Sequence, residues 1–281
     1  MLEKLGEGKV FIDHGPIQMV ITTYLHNKIS EEIAMEVGAK VLEEFQQLSP
    51  LISNLKQMHY YGKPQKNYPA VLNKMIVAVE KSGYKDLNIL GAVAGSFSDI
   101  ALEKALELGA TRVIINNGGD IALRDVQNHP IKVGIPYSRG EKKGQLILSL
   151  TGNEGIYGIC TSGLGGRSFT KGIATAAVAL AADAATADAC ATYIGNMTDV
   201  EDENILRCRA EEIDSETDIK GQMVTLKVGA LSQKKKYKAL MSGLNAAEEL
   251  YTKGIIKGCI ILIEDTIVKY PDDLEVEMKE L

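Results

Sequence analysis

The sequence contains no tryptophan, and aromatic residues occupy only 5% of its 281 positions. Nor does it carry an excess of positive charge. The formal net charge is -6 and the basic residues are scattered. Nucleic-acid binding needs a positive surface that displaces counterions, so neither DNA nor RNA is an expected partner. The one basic run, Lys234, Lys235, Lys236 and Lys238, starts an amphipathic helix and reads as a solvated face. The longest apolar run, near Ala176 to Ala182, is too short and alanine-rich to span a bilayer. The amino-terminal MLEKLGEGKVFIDHGP has no apolar export segment and no lipid-accepting cysteine. No membrane partner is therefore expected, and the cytoplasm is the expected compartment. Four cysteines, Cys160, Cys190, Cys208 and Cys259, form no CxxC pair. That spacing suits small buried thiols in a reducing compartment rather than zinc ligands or disulfides. The four histidines, His14, His26, His59 and His129, have no metal-type spacing either.

What remains is an ordinary globular composition, 45% apolar and 24% charged. Val10 to Ile12 and Gln18 to Leu25 read as strands joined by His14-Gly15-Pro16. Ser30 is the expected N-cap of a helix whose apolar face carries Ile33, Val37, Val41 and Phe45. Ser49 to Tyr68 lacks a period and reads as loop, and Pro69 is expected to open a helix that stops at Ser82-Gly83. A helix is expected over Ser96 to Leu108, then a strand over Arg112 to Ile115. Asn117-Gly118-Gly119 has the chemistry of a hairpin turn, with Ile121 to Leu123 returning. Further strands are expected at Lys132 to Ile135, Leu146 to Leu150, Ile156 to Thr161 and Met223 to Val228. Ser232 to Tyr251 reads as a helix and Ile255 to Tyr270 as a hairpin. Strands and helices mix without a strict βαβ rhythm, so the expected class is α+β, with mostly antiparallel sheets packed by helices. One domain over 1–281 is expected, with room for a subdivision near residue 90 and an acidic irregular segment over 198–221.

Glycines mark where a ligand could sit. Gly91, Gly95, Gly118, Gly119, Gly163, Gly165 and Gly166 fall at corners where close backbone approach is required. Gly95-Ser96 would open a helix, whose unpaired amides form an anion site. Ser96, Asn116, Ser162 and Ser168 are polar neighbours able to touch phosphate. Each cluster serves equally as a tight turn. Asp188 and Thr192, at i and i+4, share a helix face and both offer oxygen to a hard cation such as magnesium. Asp188 alone would also suit the positive end of its helix. Arg167 could clamp a phosphate or carboxylate bidentately, or form a surface ion pair. Asp99 and Asp120 flank the first glycine block, where Asp120 also suits a turn.

In order, GAVAGSFSD, VIINNGGDIAL, CTSG and a small-residue stretch ending ADACAT resemble the ApbE-like superfamily, which includes the FAD:protein FMN transferases. TSGLGGRS and the lack of a lipoprotein leader are closer to a soluble branch of it. The resemblance covers about residues 91–196. It implies a fold related to the T-fold, in which Ile173 to Ala181 is a strand although alanine favours helix, followed by a helix from about Ala184 to Ile194. It implies magnesium held by Asp188, Thr192 and a backbone carbonyl at Val93 or its neighbour, with Asp188 and Arg167 as catalytic candidates. It further implies that Gly91, Val93, Gly95, Ser96, Asn116, Gly118, Gly119, Asp120, Thr161, Ser162, Gly163, Gly166 and Ser168 surround FAD or a related nucleotide. The implied reaction moves FMN from FAD to a threonine or serine of an acceptor protein, and a homo-oligomer is compatible with the fold. Two departures stand out: Ala94 replaces the lysine of GxxKG, and GGRSFTKG stands where a His-x-x-Asp-Pro motif is expected.

Overall fold

The computed structural model describes residues 1–15, 17–57, 62–139, 142–166 and 168–280. The chain begins with strands β1 (Leu2–Gly6), β2 (Lys9–His14), β3 (Ile17–Leu25) and β4 (Lys28–Ile29), then helices α1 (Glu31–Leu48), α2 (Ile52–Leu55), α3 (Ala70–Ser82) and α4 (Val93–Glu107). The strands β5 (Arg112–Asn117), β6 (Asp120–Asp125), β7 (Ile131–Arg139), β8 (Lys142–Leu150), β9 (Gly158–Ser162) and β10 (Ala176–Ala181) lead to helix α5 (Ala184–Met197). The remainder is β11 (Ile205–Arg209), α6 (Ala210–Ile213), β12 (Met223–Val228), α7 (Gln233–Thr252), β13 (Gly258–Ile263), β14 (Thr266–Tyr270) and β15 (Val276–Glu280). Among the described residues no helix is long and apolar enough to cross a membrane.

The fold is α+β, and among the described residues every strand pairing is antiparallel. A ten-stranded sheet runs β1-β2-β3-β5-β6-β9-β10-β13-β14, with β4 on β3; β15-β8-β7 and β11-β12 form two smaller sheets. The large sheet is buried on both faces at its centre. In β10 the residues Ala177, Ala179 and Ala181 face the helices, while Ala176, Val178 and Leu180 face the three-stranded sheet. Strand β13 divides the same way, with Cys259, Ile261 and Ile263 on one side and Ile260 and Leu262 on the other. Side chains alternate along a strand, so double burial demands an unbroken apolar run. That is why alanine's helical propensity loses between 176 and 181.

Local signals place most of the helix ends. Ser30 caps α1, its Oγ accepting from the Ile33 N–H at 3.4 Å. Gly83 ends α3 in the left-handed conformation at φ 67°. Pro69 precedes α3 as its N-cap rather than opening it. The turn between β5 and β6 places Gly118 and Gly119 at φ 67° and 111°, which the two-residue hairpin requires.

Several expectations fail. Ser49 to Tyr68 is not all loop, because a 3-10 turn (Ser49–Leu51) and α2 continue α1. Helix α4 starts three residues before Ser96, so Gly95 lies inside it and does not open it. The acidic segment 198–221 contains β11 and α6. Strands β1, β4 and β15 were not expected. They are short and largely polar, so no alternation announces them. Lys236 is not solvated: it is buried and ion-paired with Glu264. Cys208 is only partly buried, unlike the other three cysteines. Pro16 and His59 lie outside the described residues.

Asp99, on α4, reaches the amino end of α5 and accepts from Ala184 N at 2.8 Å and Ala185 N at 2.9 Å. Burial raises its carboxyl from 3.8 to about 7, against the pull of those two amides. Since the folded value exceeds the unfolded one, the proton-linked stability is present below the unfolded value and is lost as pH rises through about 7. Asp99→Asn should flatten the fall in stability across that window, measured by urea unfolding at a series of pH values. Asp99→Ala, which leaves two buried N–H groups unpaired, should cost roughly 2–4 kcal/mol at acidic pH, and the difference from wild type should shrink as pH rises toward about 7.

Candidate functional site

A cavity of about 590 Å³ opens where α4, α5 and the ends of β5, β6 and β9 converge. Its volume is that of a small-molecule or cofactor site. One wall carries oxygen donors: Gly118, Asp120, Thr161, Ser162, Asp188 and Thr192. A second is apolar, built by Phe45, Leu48 and Ile52 from the first helices and Leu90, Val93 and Phe97 from the α4 side. A third is formed by Lys56, Asp86, Asn88, Lys171 and the segment between Asp214 and Gln222.

The polar wall rests on the contact between α4 and α5. The helices run antiparallel, with residues 94–95 of α4 beside Asp188 and Asp99 beside residues 184–185. Asp188 Oδ2 accepts from Gly95 N at 2.9 Å, and the Ala94 amide adds to the same carboxylate. Gly95 is needed for close approach. A Cβ there would lie 2.2 Å from the Ala184 carbonyl oxygen and 2.8 Å from Asp188 Cβ. Strand β9 packs alongside: Cys160 Sγ lies 3.2 Å from the Ala184 carbonyl, and Thr161 N points at Asp120 Oδ1 at 3.4 Å. Burial, then the neighbouring Asp120 carboxylate, holds Asp188 well above the usual carboxylate range, overriding the two amides. The buried Cys160 thiol is likewise pushed up, by burial and then by Asp120, Asp188 and Asp99.

The structure separates the sequence candidates into two groups. Gly91, Val93, Gly118, Asp120, Thr161, Ser162, Gly166, Ser168, Asp188 and Thr192 line the cavity. The others are engaged elsewhere. Ser96 is fully buried and its Oγ donates to Ala92 O at 2.6 Å. The Gly95 amide is spent on Asp188, so the helix end read as an anion site already holds the chain's own carboxylate. Asn116 Oδ1 accepts from Gly119 N at 2.9 Å, closing the hairpin turn. Gly163, at φ 127°, forms a turn tight against the Ala174 carbonyl. Arg167 lies outside the described residues.

Sequence reasoning missed two walls. Three of the chain's four phenylalanines, Phe45, Phe97 and Phe169, line the cavity. In so aromatic-poor a chain, that concentration was the available signal. The segment after α6 carries no periodic signal in the sequence, yet it closes the third wall. Asn88 Nδ2 donates to Leu55 O at 3.2 Å and Asp218 O at 3.3 Å, and Lys56 donates to Glu216 O. Lys171 lies 3.8 Å from Asp86 and sits 5.8 Å above the Tyr84 ring, which itself stacks on Tyr193.

The donor chemistry fits a hard divalent cation. It offers carboxylate and hydroxyl oxygen, and among the described residues no group of three or more His, Cys, Asp or Glu is placed to hold a metal ion. This antiparallel α+β architecture is similar to that of solved flavin transferases. It superimposes on the flavin transferase ApbE of Vibrio cholerae with a TM-score of 0.55 at 12% identity, covering 96% of this chain and 97% of that one. For the Pseudomonas stutzeri flavinyl transferase ApbE the TM-score is 0.54 at 12% identity, covering 90% and 89%. The family model described as "AbpE bacteria" matches residues 2–274, and the chain belongs to that family. Similar chains include a UPF0280 protein of Methanosarcina barkeri, 35% identical over 159 residues, 56% of this chain and 60% of that protein. A UPF0280 protein of Methanothrix thermoacetophila is 35% identical over 156 residues, 55% and 62% of the two chains. The match thus spans about three fifths of these relatives.

Gly95→Ala should force the helix backbones apart and cost about 3 kcal/mol. Gly91→Ala, whose new methyl meets only the flexible end of Leu87, should cost far less. Thermal unfolding of the two variants side by side checks the contrast.

Proposed function

We propose that this protein binds a flavin dinucleotide or a related nucleotide diphosphate with magnesium and transfers FMN to a threonine or serine hydroxyl of an acceptor protein. The observation that carries this reading is the convergence of Asp188 and Thr192 on one cavity wall, against the amino end of α4. The fold it shares with flavin transferases supports the choice of ligand.

Asp188 and Thr192 would hold the cation, with the Val93 region beside them. The bound ion would neutralise the diphosphate and the charge developing on the leaving AMP. The chain's own part is to position. Thr161, Ser162 and Gly166 border the space for the diphosphate, and Phe45 and Phe97 offer an apolar face for a ring. In the transfer, the acceptor oxygen bonds to the FMN phosphorus, the bridging P–O bond breaks, and AMP leaves with the bridging oxygen. The hydroxyl proton passes to solvent or to a carboxylate of the wall.

A second reading is a carrier or sensor of the same ligand without transfer. Ala94 favours it, because no lysine charge extends from that position of α4. Incubation with FAD, magnesium and a threonine-bearing acceptor separates the two: covalent flavin fluorescence on a denaturing gel eliminates the carrier. Either way, Asp188→Ala should abolish magnesium-dependent FAD binding in calorimetry. An unchanged titration of that variant ends both readings.

A further inference from the structure

We infer that Asp120 is a second carboxylate ligand of the cation at Asp188. The inference rests on the cation site just proposed and adds a residue to it. Three placements bring the two carboxylates together. Asp120 opens β6 directly after the Gly118-Gly119 turn, and Gly118 and Asp120 both border the cavity. Thr161 N, on the neighbouring strand β9, points at Asp120 Oδ1 at 3.4 Å. Strand β9 in turn runs along α5, with Cys160 touching Ala184 and Ser162 beside Gly195, so Asp188 lies between those contacts. Both carboxylates border the same cavity, as do Thr161 and Thr192.

Two half-buried carboxylates bordering one cavity repel each other, and the cost grows as the surroundings become less polar. A divalent cation between them converts that repulsion into attraction. Magnesium is held by one or two protein carboxylates, with waters and ligand phosphates completing its octahedron. Two carboxylates also balance its charge before any nucleotide arrives. The protein should therefore bind the ion alone.

The bland alternative is that Asp120 only receives the Thr161 amide and the Cys160 thiol and ends the hairpin. Asparagine retains an oxygen for that amide but loses the anionic donor, so Asp120→Asn separates the two roles. The experiment titrates manganese, without nucleotide, into wild type, Asp120→Asn and Asp188→Asn, following electron paramagnetic resonance of the free ion alongside melting temperature. Asp120→Asn should weaken manganese binding by roughly tenfold or more with an unchanged melting temperature. Wild-type affinity in Asp120→Asn, with Asp188→Asn weakened, overturns the role of Asp120 and leaves the cation site standing. Wild-type affinity in both variants, or no manganese binding by the wild type, removes the cation site itself. Should Asp120→Asn fail to fold, Asp120→Glu replaces it: an altered affinity supports ligation, and an affinity equal to wild type overturns it.

Discussion

Helices α4 and α5 exchange carboxylates, and the site depends on that exchange. Each helix begins with N–H groups that have no intrahelical partner. Asp99 of α4 takes two of them from α5, and Asp188 of α5 takes those of Ala94 and Gly95 from α4. Running antiparallel makes the exchange mutual, because each carboxylate lies between one and two turns from its own helix's start and beside its partner's. It requires the backbones to meet, and Gly95 is where they do. A bond to the helix end also fixes where the Asp188 carboxylate stands, which a surface carboxylate on a free rotamer would not achieve.

The sheet beneath explains why the pair can sit so deep. Ala177 and Ala179 present only methyl groups to the helix layer, and a Cβ added at Gly195 of α5 would lie 3.5 Å from Ala177 Cβ. Small residues on both partners let α5 settle onto β9 and β10. The larger Val178 and Leu180 fill the opposite face, against β7 and β8. The alanine-rich run thus does two jobs at once: it forms a strand buried on both sides, and it brings α5 close enough for Thr161 and Ser162 to share a cavity with Asp188.

Where the sequence was legible, one physical cause dominated locally. Ser30, Gly83 and the Asn117-Gly118-Gly119 turn act through nearest neighbours, and each falls where its chemistry puts it. Asp188 and Thr192 share a helix face by spacing alone. Gly95 was misread because a glycine's local effect is to break helices, while here its lack of a side chain serves a contact with a helix ninety residues away. Ser96 and Asn116 look like phosphate ligands in one dimension, yet each hydroxyl or amide satisfies its own backbone. The third wall was illegible because the contacts that bring in the segment after α6, Asn88 to Asp218 and Lys56 to Glu216, reach main-chain carbonyls and leave no mark in residue type.

The replacement of lysine by Ala94 acquires a meaning in this geometry. The Ala94 carbonyl already accepts from Asn117 Nδ2 at 3.2 Å and Ser98 Oγ at 3.1 Å, and its amide faces Asp188. The position is an anchor for the hairpin and both helices. The lysines that border the cavity, Lys56 and Lys171, stand on another wall and are paired there with Glu216 and Asp86. Electrostatic attraction for a diphosphate at the Asp188 wall would then fall to the cation. An anionic ligand approaching two carboxylates meets repulsion until that ion is in place. A chain with this wall would therefore couple nucleotide binding to the divalent ion more steeply than one with a lysine at position 94, whose fixed charge attracts phosphate whether or not metal is bound.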